Sequence, residues 1–334
     1  MQKKKIKIKF VDFWKHWNVE DNFIINCLKE KYDVEISEQP DYVFFSNFNP
    51  KFDHMKYNNC VKIFYTQENL CPDFNYADYA IGFDNIEFED RYLQFPIYYI
   101  PERYKESWDL MVLKHKNISD TMAKRKFCSF VVSNRDGDKI RENFFRLLCK
   151  YKKVESGGRY LNNIGLPNGV PNKLDFEKEH KFSICFENSS HPGYVTEKLI
   201  EAFAAGTIPI YWGSPDVGKL FNSDSFINIL DYSSLDEVLE KVKELDQDDV
   251  KYLEYLKQPA LLKDNNWDDK QNELKHFLFN IFDQPLEVAK RRNMVFWGQE
   301  YHRRYSEMRK SYKILYPFFF FKYKIGRLIK RLGG

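Results

Sequence analysis

Several things are missing from this chain. It has no Cys-x-x-Cys pair, no histidines clustered at ligand spacing, no internal repeat of solenoid length and no apolar run behind its basic start. The six cysteines, Cys27, Cys60, Cys71, Cys128, Cys149 and Cys185, are scattered. That pattern points to neither a zinc module nor a disulfide framework, and it fits a reducing cytoplasm. Cys128, inside the strand-like word KFCSFVVSN, is expected as a buried thiol. The seven histidines are dispersed, so no metal site is expected. Net charge is +3, near balance, and does not ask for nucleic acid as a partner. The opening MQKKKIKIKFVDFW is basic without an apolar region to follow, which argues against a signal peptide or membrane anchor there.

What the chain does have is length, aromatic residues and alternation. Its 334 residues leave room for about two domains, each able to bury its own core. Aromatics make up 17%, with 30 Phe and 22 Tyr, which suits a carbohydrate-handling or membrane-proximal surface; AT-rich coding would produce the same bias. Strand-like words at 6–13, 41–46, 61–66 and 79–83, with a helical segment at 22–31, predict a parallel, doubly wound α/β layer. Trp14, His16 and Trp17 form a loop at the end of the first strand. Residues 101–122 are charged and irregular and read as the crossing into a second domain. That domain opens with a strand at 127–133 and a helix at 139–151, then a glycine-bearing loop, SGGRYLNN, at 156–163. Strands at 182–186 and 226–229 and helices at 234–245 and 284–310 complete it. The expected divisions are therefore 1–122, 123–311 and a tail of 312–334.

The densest signal is FENSSHPGYVTEKLIEAFAAGTIPIYWGS, residues 186–214. A polar turn leads to a helix with Thr196 as N-cap and Gly206 as stop, then a short apolar strand, 207–212. Leu199, Ile200, Phe203 and Ala204 share the core face of that helix. Glu197 and Lys198 stand at its mouth, where helix amides favour anions. A carboxylate beside an ammonium suits a ligand carrying hydroxyls and phosphates, such as a nucleotide sugar; a capped helix with surface charges is the plainer reading.

The wording goes further than the pattern. FEN…GYVTEK…IPIYWGSP resembles the signature of the bacterial and animal alpha-1,3/1,4-fucosyltransferases, glycosyltransferase family ten. The resemblance is close over 61–217, looser in the N-terminal strands, and only one of character in the tail. It implies an α/β fold of two Rossmann-like domains facing each other across a cleft, the GT-B type. It also implies an inverting transfer of L-fucose from GDP-L-fucose to a GlcNAc or Glc hydroxyl of a lactosamine- or lactose-type glycan. No cofactor is obligatory on this reading, and a divalent cation is at most a stimulant. Rival readings are another GDP-sugar or an alpha-1,4 linkage, or an idle membrane-surface relative.

Such a transfer needs a base, positive charge for the departing diphosphate, and a pocket that aligns the reactants. Glu68 lies just past the carboxyl end of the VKIFYT strand, where α/β sheets place ligands. Its word YTQEN resembles the family's YTGEN-type word, which implies the catalytic base, with Gln67 in place of the usual glycine. Lys198 matches the family lysine at the diphosphate, and Glu197 the carboxylate on the ribose hydroxyls. Asn188 and Tyr194 belong to the same words and are expected in the donor pocket. Arg159, on the glycine-bearing loop, is the expected second cation, its guanidinium suited to gripping phosphate. Asp136-Gly137-Asp138 spells a DxD, but Asp and Gly are also what a turn wants, and the turn is preferred.

The tail YKILYPFFFFKYKIGRLIKRLGG, taken as helical past Pro317, puts Phe321, Ile325, Leu328, Ile329 and Leu332 on one face. Lys322, Lys324, Arg327, Lys330 and Arg331 take the other. Too short in its apolar part to span a bilayer, it suits an interfacial anchor on anionic lipid. The expected location is cytoplasmic, peripheral on the inner face of the bacterial membrane. The acceptor is expected to meet loops 14–17 and 47–56.

Overall fold

In a computed structural model the chain is described over residues 2–332, except 50–51, 117, 120–121, 124 and 263–264. The side chains of 327–332, and with them Arg327, Lys330 and Arg331 of the expected basic face and Leu328, Ile329 and Leu332 of the expected apolar face, lie outside the described residues.

Strands β1 (Lys4–Val11), β2 (Tyr32–Ile36), β3 (Tyr42–Phe45), β4 (Val61–Tyr65), β5 (Tyr79–Gly82) and β6 (Tyr92–Gln94) form one sheet. Their order is β2-β1-β3-β4-β5-β6 and every pairing is parallel. A second parallel sheet holds β7 (Lys126–Phe130), β8 (Val154–Ser156), β9 (His180–Phe186), β10 (Ile208–Trp212) and β11 (Ile227–Asn228), in the order β11-β10-β9-β7-β8. Strands β4, β5, β9 and β10 are buried along their whole length, as strands covered on both faces must be.

Helices α1 (Phe23–Lys31), α2 (Pro101–Leu113), α3 (Ile140–Tyr151), α4 (Lys173–Lys178) and α5 (Glu197–Ala204) are followed by α6 (Leu235–Gln247) and α7 (Asp249–Lys257). Then come α8 (Trp267–Asp283), α9 (Leu286–Ala289) and α10 (Trp297–Leu332). Asn22 caps α1 by accepting from the N–H groups of Ile24 and Ile25, and Ser234 caps α6 through Glu237 N–H. Gly206, at φ +67°, ends the α5 segment in a conformation that costs a larger residue strain.

The segment 101–122 is not irregular, as expected, but holds a helix. Pro101 starts α2 in its first turn, and Tyr104, Trp108 and Met111, spaced four and three apart, bury one face of it. That face belongs to the same apolar cluster as Leu199, Ile200 and Phe203 of α5. Complete burial of each of those three contributes roughly 1.5–3 kcal/mol. The α2–α5 contact is therefore one of the packings that join the two sheets. Helix α8 returns to the first sheet: Phe282 stacks on Tyr42 at 4.1 Å, and Gln271 Nε2 donates to the Tyr99 carbonyl at 2.9 Å.

The single helix expected over 284–310 is also divided. Pro285 stands before α9, Phe296 takes a left-handed turn at φ 48°, and only then does α10 begin. Once started, α10 runs through Pro317 without a break. Tyr305 packs on Tyr76 at 4.5 Å, whereas Ile314, Leu315 and Phe318 to Phe321 are exposed.

Candidate active site

Both sheets turn their carboxyl ends toward one cleft, and each presents its topological switch there: β1 beside β3 in the first, β7 beside β9 in the second. Ligands of open α/β sheets lie at such points. A cavity of about 310 Å³ occupies this place. Trp14, which follows β1, Phe48, which follows β3, and Tyr65 and Glu68 of the β4 end form its N-terminal wall. Asn188, Tyr194, Thr196, Glu197 and Lys198 form the opposite wall, and Arg103 and Tyr104 of α2 close a side. A larger hollow of about 670 Å³, lined in part by Lys153, Asp175 and Phe176, contains none of these groups.

Five of the six expected site residues thus meet in one cavity. Arg159 does not. It is exposed on the loop after β8 and is absent from the cavity wall. The cation that does reach the cleft from outside the donor motif is Arg103, in the segment read from sequence as irregular. Its guanidinium lies 5.2 Å from the Tyr104 ring, and among the described residues it has no carboxylate partner.

Glu68 is exposed at the cavity. Its N–H donates to Thr66 Oγ1 at 3.2 Å, which folds the loop back over the strand end. No described residue donates to its carboxylate, so both oxygens are available to an incoming hydroxyl. Gln67, in the usual glycine's place, donates from Nε2 to the Phe95 carbonyl at 2.9 Å and ties the loop to the strand β6 end.

The donor wall is organised by a residue the sequence reading missed. Glu187, fully buried at the end of β9, accepts from Thr196 N–H at 2.7 Å, from Thr196 Oγ1–H at 2.7 Å and from Lys198 Nζ at 2.9 Å. Thr196 holds the N-cap position as expected, but its hydroxyl serves Glu187 instead of the helix amides. Lys198 also donates to Thr196 Oγ1 at 2.8 Å, and Glu197 Oε1 lies 3.6 Å from the ammonium. The Lys198 side chain is 16% exposed and that of Glu197 26%. Burial alone would push the ammonium down, but Glu187 and Glu197 outweigh it and hold the Lys198 pKa above the ordinary lysine range. For Glu197, burial pushes up, and Lys198 with Lys173 more than reverses it. Lys198 therefore stays protonated at every physiological pH. The sequence signal for Glu187 was there to use: a carboxylate directly after the strand word FSICF is expensive to bury unless something buried needs it.

Asn188 Oδ1 accepts from Arg141 Nη1 at 2.9 Å, and its carbonyl accepts from Asp138 N–H at 2.9 Å. Asp138 Oδ1 takes the Ile140 N–H at 2.9 Å, a turn at the start of α3. Gly137 leaves room there for the Arg141 guanidinium, since a Cβ would fall 1.9 Å from Nη1 and displace it. The DxD word is thus built into a turn. Burial, then the Glu187 carboxylate, pushes the Tyr194 phenol up, with Glu68 adding to it from across the cleft. Phe83 of the first domain packs edge-on against the Tyr194 ring at 4.9 Å.

This geometry has relatives. Residues 8–101 match the model of the alpha-(1,3)-fucosyltransferase FucT N-terminal domain, and residues 121–279 that of the glycosyltransferase family 10 (fucosyltransferase) C-terminal region. The chain is 35% identical over 288 residues to alpha-(1,3)-fucosyltransferase FucT of Helicobacter pylori, covering 75% of this chain and 59% of that one. It spans less than two thirds of the length of the curated relatives it matches. A crystal structure of an alpha1,3-fucosyltransferase with GDP superposes with a TM-score of 0.69 at 31% identity, over 83% of this chain and 91% of the other. One with GDP-fucose gives 0.68 at 30% identity over the same shares.

Proposed function

Since the chain belongs to the fucosyltransferases of glycosyltransferase family 10, we propose that it moves L-fucose from GDP-L-fucose to a sugar hydroxyl with inversion at the anomeric carbon. The observation that carries this reading is the opposition, in one cavity, of an unencumbered carboxylate on one domain and a permanently charged lysine on the other. Glu68 takes the proton of the acceptor hydroxyl as its oxygen attacks the fucose anomeric carbon. The bond from that carbon to the β-phosphate oxygen breaks, and GDP leaves as an anion. Lys198 and Arg103 meet the charge that develops, the first as a point charge and the second as a planar fork. Arg159, exposed on the glycine-bearing loop outside this cavity, is assigned as a further cation for the diphosphate. Glu197 accepts from the ribose hydroxyls, and Asn188 and Tyr194 shape the donor wall.

The acceptor is assigned to the other wall, where Trp14 and Phe48, rings 5.2 Å apart and edge to face, present an apolar surface suited to a pyranose. We assign an N-acetylglucosamine or glucose unit and an alpha-1,3 linkage. The relatives solved with GDP and with GDP-fucose support the donor. Among the described residues no helix is long and apolar enough to cross a membrane. The exposed Phe318 to Phe321 with Lys322 and Lys324 support the interfacial role for α10, and with it a place on the inner, anionic face of the bacterial membrane.

The test is a donor and acceptor panel: GDP-fucose and GDP-mannose, each with lactose, N-acetyllactosamine and the N-acetyllactosamine isomer galactosylated at the 3-hydroxyl, products read by mass. Fucosylated product from GDP-fucose alone is expected. Product only from GDP-mannose, or only with an acceptor lacking a free 3-hydroxyl, would overturn the donor or the linkage respectively.

A further inference from the structure

Three side chains that are far apart in sequence converge beside the cleft. Cys71 stands three residues beyond Glu68, Asp84 follows β5, and His191 lies in the turn leading to Tyr194 on the other domain. Among the described residues they are the one group of three that could hold a metal ion, their ligand atoms all within 4.8 Å of one another. Cys71 Sγ donates to Asp84 Oδ1 at 3.4 Å, and His191 Nε2 lies 2.7 Å from the same oxygen. Asp84 is 3% exposed, and its other oxygen, Oδ2, is buried with no hydrogen-bond partner. A buried carboxylate oxygen left without a donor is costly, so Asp84 is incompletely satisfied by hydrogen bonds alone.

As a ligand set it is better matched. Thiolate, imidazole and carboxylate together are what a zinc-class cation takes, and three protein ligands leave a fourth position to water. Bonds of about 2.0–2.2 Å to nitrogen and oxygen set a tetrahedral edge near 3.3 Å. The sulfur–oxygen spacing already fits, and the His191–Asp84 pair has to open by roughly half an ångström. The His191 side chain, 37% exposed, has room to do so.

We propose that Cys71, Asp84 and His191 bind a zinc-class divalent cation that clamps the Glu68 loop to the donor-side turn. Binding releases the thiol proton to solvent, moves the His191 ring proton from Nε2 to Nδ1, and replaces the two hydrogen bonds on Asp84 by bonds to the ion. The loops it would clamp already touch: Asn69 Nδ2 donates to Ser189 Oγ at 2.6 Å, and Phe83 packs edge-on against His191 at 5.7 Å. The site is separate from the transfer chemistry and does not depend on which sugar is moved.

The experiment uses the untagged, metal-stripped full chain and Zn²⁺ alone, in competition with a chromophoric chelator. One equivalent is expected to bind, and to be lost in Cys71→Ser, an exposed position where the smaller hydroxyl is tolerated. Co²⁺ in place of Zn²⁺ should give a thiolate-to-cobalt charge-transfer band that Cys71→Ser lacks and His191→Gln alters. Amide exchange over 67–71 and 188–194 should slow on adding Zn²⁺ to the parent only. Failure to bind an equivalent, or equal binding by the parent and Cys71→Ser, would overturn the proposal and leave a hydrogen-bonded latch.

Discussion

Replacing Glu187 by glutamine removes one charge from a fully buried position while leaving the side-chain shape and the packing of Phe186 unchanged. The carboxylate accepts from Thr196 N–H, the Thr196 hydroxyl and the Lys198 ammonium. A glutamine oxygen replaces one of its two oxygens. Its NH₂ then faces the ammonium, donor against donor, and the hydroxyl can meet it only by turning to accept. Breaking a buried ion pair from one side costs about 3–5 kcal/mol. Glu197, 3.6 Å from the ammonium and partly exposed, retains some of the partnership, so a loss near the lower figure is expected. At about 2–4 °C per kcal/mol for a domain of this size, the melting temperature should fall by about 6–12 °C. The assay is thermal unfolding by circular dichroism, with Glu187→Gln/Lys198→Met beside the single variant. Removing both charges leaves no ammonium unpaired, so the double variant should recover most of the loss. A single variant that melts within about 1 °C of the parent would refute the reasoning, as would a double variant no better than the single.

Other outcomes follow from the same structure. Arg103→Ala, an exposed site, should leave folding intact yet weaken GDP binding by about 1.5–3 kcal/mol, roughly 10- to 150-fold by calorimetry, whereas a change under twofold would remove Arg103 from the donor site. Lys62 is buried with no partner for Nζ, and burial, then Arg292, pushes its pKa down to about 7. Between that value and 10.5 the unfolded chain holds a proton that the folded one lacks, so stability rises with pH across this window and the penalty is complete below it. Lys62→Met should therefore stabilise at pH 6 by an amount on the order of a few kcal/mol in urea unfolding, with the gain vanishing near pH 10; an equal gain at both would contradict this. Deleting 312–334 should abolish sedimentation with anionic vesicles and spare transfer to soluble acceptors, and unchanged sedimentation would end the anchor reading.

The alternation of apolar strands was legible in the sequence because β1 and β9 are long and β3, β4, β5, β7 and β10 are mostly apolar. The short β2, β6 and β8 were not: β2 leaves α1 with no glycine or proline between them, and β6 and β8 are three residues each. The helix α2 was hidden by its charged outer face, although Tyr104, Trp108 and Met111 carried the spacing. At the site, residues in distinctive words, Glu68, Asn188, Tyr194, Glu197 and Lys198, converge in the cavity. Arg103 and Glu187 were missed for different reasons. The first depends on a helix crossing from one domain to the other, and the second on a buried network that no single motif position declares. The grouping of Cys71, Asp84 and His191 is of the same kind, since linear spacing cannot show three loops meeting.

In the proposed reaction Glu68, from the N-terminal domain, takes the proton while the donor rests on the other. The most direct measurement compares Glu68→Ala with the parent in GDP affinity and in fucose transfer. GDP should bind within about twofold, because no described contact joins Glu68 to the donor helix, while transfer falls by about 10²–10⁴. Turnover equal to the parent's, with GDP binding intact, would contradict the account.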